Sequence, residues 1–104
     1  MKTDIKFIRY VRNDPKQKKE ICFYSDGDKH WFLNGEYHRE GGPAVEYSDG
    51  EKFWLLNGYA HREDGPACEY SDGTKHWYLN GNRFLSEIDY WEVVEKYNKD
   101  NKIK

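Results

Sequence analysis

One four-residue phrase, Tyr-Ser-Asp-Gly, begins at Tyr24, Tyr47 and Tyr70, each copy 23 residues after the last. Other landmarks keep the same step. Trp31, Trp54 and Trp77 recur, as do Leu33, Leu56 and Leu79, and the Asn-Gly pairs at Asn34, Asn57 and Asn80. His38-Arg39 and Gly42-Pro43-Ala44 return as His61-Arg62 and Gly65-Pro66-Ala67. A fixed period of this size marks a repeat architecture, in which each unit buries its apolar surface against its neighbours. The chain therefore reads as a stack of small units, not as a domain built around one catalytic pocket.

Residues 43–58 serve as the type unit. Asp49-Gly50 is a hairpin signal, because both residues tolerate positive φ in a two-residue turn. With those two at the turn, Tyr47 faces Lys52, Glu46 faces Phe53 and Val45 faces Trp54. Alternation then separates two faces. One carries Val45, Tyr47, Lys52, Trp54 and Leu56; it hardly changes between copies and is the expected core, with the Lys stem lying over the Tyr ring. The other carries Ala44, Glu46, Phe53 and Leu55, with His30, Phe32, His76 and Tyr78 at equivalent places in the other copies. It varies while staying rich in aromatics, as a partner surface does. Asn34-Gly35, Asn57-Gly58 and Asn80-Gly81 mark a second turn per unit. Gly65-Pro66 marks a bend or an edge, since Pro cannot sit inside a paired strand.

The ends differ from the middle, as the terminal units of a stack must. Ile5 to Val11 reads as a strand, turned back by Asn13-Asp14-Pro15. Ser86 is placed to cap a helix, with Ile88, Trp91 and Val94 as its apolar stripe and Tyr90, Val93 and Tyr97 widening it. Asn98 to Lys104 reads as a frayed tail. The expected fold is mainly β: a single domain over residues 1–104, an antiparallel β-hairpin repeat array with a C-terminal capping α-helix. Residues 1–20 form the N-terminal strand and cap, 21–83 the three hairpin repeats, and 84–104 the helix and tail.

These residues resemble MORN repeats, a family with a 23-residue period, a tyrosine beside an Asp-Gly turn, an aromatic residue in the next strand, then Asn-Gly and a His-containing segment. The resemblance covers about residues 20–83. The His-Arg-x-x-Gly-Pro-Ala segment is a variant similar to that of small bacterial and phage proteins. The resemblance implies rows of β-hairpins acting as protein-interaction, scaffolding or phospholipid-binding modules.

The formal net charge of −2 argues against a nucleic-acid partner, which calls for a basic excess. Residues 1–20 do carry seven Lys or Arg against three Asp or Glu, a local basic edge. Cys22 and Cys68 sit at equivalent places two repeats apart, about 19 Å if each repeat adds two strands, which is too far for a disulfide. Reduced thiols fit a cytoplasmic setting. No apolar run reaches membrane-spanning length, and the N-terminus lacks a signal-peptide core.

No nucleophile, P-loop or zinc-protease motif is present, and the histidines lack the tight spacing of metal ligands. The chain is read as neither an enzyme nor a cofactor protein. The expected function is non-catalytic binding of another protein through His30, Phe32, Phe53, Leu55, His76 and Tyr78. His38, Arg39, His61 and Arg62 would form a charged rim. By analogy with the phage proteins, a concrete form is an inhibitor docked on a host defence enzyme. Two alternatives use the same residues. The His-Arg loops would hold a phosphate-bearing ligand, such as a nucleotide, an anionic lipid headgroup or nucleic acid; or the aromatic face would make a homodimer or self-assembling scaffold.

Overall fold

The structure, a computed structural model, describes residues 5–14 and 17–102. It is mainly β, with antiparallel sheets and one C-terminal helix. The strands are β1 (Ile5–Asp14), β2 (Gln17–Tyr24), β3 (Lys29–Leu33), β4 (Glu36–Tyr37), β5 (Val45–Glu46), β6 (Lys52–Phe53), β7 (Leu55–Leu56), β8 (Tyr59–Ala60), β9 (Cys68–Glu69), β10 (Lys75–Leu79) and β11 (Asn82–Phe84). Helix α1 covers Glu87–Lys102. Among the described residues one sheet runs in the order β1-β2-β3-β5-β6-β9-β10-β11, with β4 beside β3, and β7 and β8 pair separately. Pro15, which the sequence reading placed in the first turn, and residues 103–104 of its tail lie outside the described residues.

Backbone bonds recur at one constant offset. Trp31 donates to the Ala44 carbonyl and Trp54 to that of Ala67; Ala44 donates to Phe53 and Ala67 to His76. His38 donates to Trp31 and His61 to Trp54; Gly58 donates to Tyr37 and Gly81 to Ala60. Each second member lies 23 residues beyond the first.

The two turns of each unit are built differently. Asn34, Asn57 and Asn80 have φ of 52°, 52° and 51°, and the glycines after them are also left-handed. Positive φ at both central residues is the two-residue hairpin turn whose twist suits the strands. At the Asp-Gly turns only the glycine is left-handed, with φ of 99°, 97° and 92° at Gly27, Gly50 and Gly73. Asp49 stays outside that region, where its Oδ1 accepts from the Glu51 N–H at 2.9 Å. The loop is three residues long, closed by Gly50 N–H to the Tyr47 carbonyl and Tyr47 N–H to the Glu51 carbonyl.

That extra residue moves the register by one. Val45 faces Phe53 and Glu46 faces Lys52, not the Val45–Trp54 and Glu46–Phe53 pairs expected from a two-residue turn. A one-residue slip exchanges the faces of one strand relative to the other. Tyr47 and Phe53 therefore share a side, while Lys52 and Trp54 go to the opposite one with Glu46. The expected division, with tyrosines and tryptophans on one core face, is corrected by this register.

The helix also differs from its expected stripe. Tyr90 and Val94 are buried, at 0% and 3% exposure, and pack with Leu79 against Trp77 and Phe84. Ile88 and Trp91 point outward, at 72% and 40%. The i, i+4 pair, not the i, i+3 series, meets the sheet. Ser86 caps as expected, its Oγ accepting from the Asp89 N–H at 3.4 Å. The helix continues through Lys102, so residues 98–102 are not a frayed tail. No helix among the described residues is long and apolar enough to cross a membrane.

Candidate functional site

The His-Arg-x-x-Gly-Pro-Ala segment is explained residue by residue. His38 accepts the Asn57 N–H on Nδ1 at 3.0 Å, and His61 accepts the Asn80 N–H at 2.9 Å. Each imidazole thus ties its loop to the next Asn-Gly turn. With Nδ1 accepting, the ring proton is assigned to Nε2, which in His61 donates to Glu63 at 2.9 Å. The following arginine folds back over its own unit's indole. The Arg39 guanidinium carbon lies 3.9 Å from the Trp31 ring centroid, and that of Arg62 lies 3.8 Å from Trp54. Arg39 Nη1 donates to the Pro43 carbonyl and to Glu46; Arg62 Nη1 donates to the Pro66 carbonyl and to Glu69. Arg62 Nε also reaches Asp64 at 2.8 Å. Gly42 and Gly65 leave room for the guanidinium: a Cβ there would meet its carbon at 2.9 Å and 2.8 Å and push the arginine aside. Ala44 and Ala67, both fully buried, complete the floor.

On this indole side the register also lines up charges. Lys29, Glu46, Lys52, Glu69 and Lys75 follow one another across the sheet, each facing the opposite sign. Such cross-strand pairs stabilise modestly. The lysines expected over the tyrosines are here instead, and Glu69 faces Lys75, with His76 facing Cys68.

The opposite side is a row of rings. Tyr24, His30, Tyr47, Phe53, Tyr70 and His76 follow in spatial order, with successive centroids 4.8, 5.8, 5.8, 5.4 and 5.2 Å apart. Their planes are tilted or edge-on, the arrangement aromatic quadrupoles favour. Tyr37 stacks on Phe32 at 4.6 Å and shares a hydrogen bond with His30 Nδ1. Four of the expected partner-face residues, His30, Phe32, Phe53 and His76, are thus brought together, with the repeated tyrosines among them. Tyr78 follows His76 on this side of β10 by alternation, whereas Leu55 lies on β7, in the separate two-stranded sheet. His30 is buried at 5%, so it supports the row and is not open to a partner; Phe32, Phe53, Leu55, His76 and Tyr78 are half-buried. The sequence reading missed Tyr24, Tyr37, Tyr47 and Tyr70 here. The serine before each Asp-Gly, read as part of a three-residue loop, is the signal that would have placed three of them.

Burial pushes the hydroxyls of Tyr24, Tyr37, Tyr47 and Tyr70 above the usual tyrosine range. It also raises Cys22 and Cys68, both free and buried. Neither thiol has the lowered pKa of a nucleophile. Among the described residues no cluster of three His, Cys, Asp or Glu is placed to hold a metal ion.

Compared with known proteins, the chain matches no family model, no curated protein and no solved structure.

Proposed function

We propose that this chain is a MORN-like array of β-hairpins that binds another protein, without catalysis, through its tyrosine side. The constant 23-residue offset of the backbone bonds supports the array. The observation that carries the binding reading is the continuous six-ring row on a single sheet layer, with the central Lys–Glu row turned to the other side. Aromatic side chains give large contact area at low entropic cost, and they anchor protein interfaces. In the form suggested by the phage resemblance, the chain is an inhibitor seated on a host enzyme in the cytoplasm.

The phosphate reading is less favoured. Arg39 and Arg62 would have to leave both an indole and a glutamate to meet an anion. His38, Arg39, His61 and Arg62 are likewise held by bonds within the chain, which weighs against a rim role.

The test is a pull-down from the native host with the wild-type chain and with Tyr47→Glu and Tyr78→Asp, each checked for folding by circular dichroism. A protein retained by the wild type and lost by both folded variants is the expected result. Equal retention by all three, or none by any, overturns the reading. A dimer in sedimentation that these changes dissociate would identify a self-assembling scaffold instead.

A further inference from the structure

The indole side carries a second feature, independent of the tyrosine row. Tyr90 of α1 sits beside Trp77 and Leu79, and its hydroxyl donates to the Arg62 carbonyl and accepts from the Gly65 N–H. One repeat earlier a related seat has no occupant from α1; Arg62 already lies over its indole, Trp54, where the equivalent position in the Trp77 unit is Leu85. Trp54 and Leu56 stand for Trp77 and Leu79, His61 stands for the wall residue Phe84, and Arg39 and Gly42 stand for Arg62 and Gly65. Among the described residues, the Arg39 carbonyl and the Gly42 N–H make no hydrogen bond, although Gly42 is buried. A groove of about 600 Å³ opens there, floored by Trp54, Leu56 and Pro43. Asn98, two turns beyond Tyr90 on α1, reaches its rim.

We infer that this groove receives a tyrosine from a helix of a partner protein, its hydroxyl bridging the Arg39 carbonyl and the Gly42 N–H. The chain's own helix supplies the template. Tyr90 and Val94, at i and i+4, fill the equivalent seat. The guest helix therefore carries a tyrosine followed four residues later by a branched aliphatic side chain. The rim fixes its charge. Glu40 and Glu63 stand at the mouth, whereas Arg39 and Arg62 are already paired with Glu46, Glu69 and Asp64. Acidic walls call for lysine or arginine beside the guest tyrosine. A phenylalanine in the same place would leave a buried N–H unpaired, so the slot selects the hydroxyl.

The probe is a synthetic peptide with the sequence of residues 86–102 carrying Glu87→Lys, Asp89→Lys and Glu92→Lys, so that basic residues flank its tyrosine, titrated into the full isotope-labelled chain and followed by NMR. Saturable shifts of the Gly42 amide and the Trp54 indole N–H are expected. The peptide with Phe at its Tyr90 position should bind about fivefold more weakly, the effect of one lost hydrogen bond. Leu56→Glu should abolish the shifts in a chain that remains folded; if that variant unfolds, the Phe peptide alone still decides. Shifts confined to Gly65 and Trp77 would mean exchange into the seat α1 already holds, and would overturn the inference. So would shifts confined to the tyrosine side, equal binding of the two peptides, or no binding at millimolar concentration. Because Tyr47→Glu leaves this groove intact, failure here is separable from failure of the tyrosine-side reading.

Discussion

Arg62 shows how much one side chain carries in so thin a protein. It lies flat on Trp54, serves the Pro66 carbonyl and meets two carboxylates. Half-buried ion pairs with one face open to water contribute modestly, so much of its value lies in the stack and the carbonyl bond. Lysine keeps the charge but has neither the plane nor the fork. Arg62→Lys should lower stability by about 1–2 kcal/mol, read as a shifted urea midpoint at unchanged slope. A change under about 0.5 kcal/mol would remove the stack from this account. The recurrence of His-Arg, read as a charged rim, was legible in the sequence. Its target was not: the indole lies eight positions back, and only the path of the loop folds the guanidinium onto it.

At the scale of the element, the two turns explain both what the sequence told and where it misled. The Asn-Gly turns were read correctly because asparagine and glycine both accept left-handed backbone. Asn57→Ala forces a Cβ-bearing residue with no compensating amide into φ of 52°, and should cost about 1 kcal/mol, whereas Asn57→Gly should be nearly neutral. Thermal unfolding of the two variants separates these outcomes, and equal losses would count against strain as the cause. The Asp-Gly turns contain the same kind of residues but are one residue longer, since the aspartate side chain bonds the backbone two positions on. Composition alone does not distinguish the two lengths. A single position then exchanged the faces, separating tyrosines from tryptophans. The existence of strands, turns and helix was thus legible, while the sidedness needed the register. The helix stripe was drawn too broadly: its apolar residues surround most of the axis, and of those named only Tyr90 and Val94 find a groove to fill.

The whole molecule measures 41 × 38 × 16 Å, a plate little thicker than one sheet and a helix. Its rings are shielded mostly by one another. Tyr24, Tyr37, Tyr47, Tyr70 and Tyr90 therefore hold their protons above the ordinary value of about 10, and Cys22 and Cys68 above about 9, burial being the main cause. The unfolded chain releases those protons first, so it binds fewer of them than the native state in alkali. Stability is complete below about pH 9 and declines as pH rises through the shifted values. Urea titrations at about pH 7 and about pH 11 should show the loss, and a flat response would contradict it. The same slenderness has a further consequence. With rings outward on one surface and indoles on the other, a body resting against either leaves its reverse unobstructed. The molecule has the build of a washer clamped between two parts, touching both and filling the space of neither.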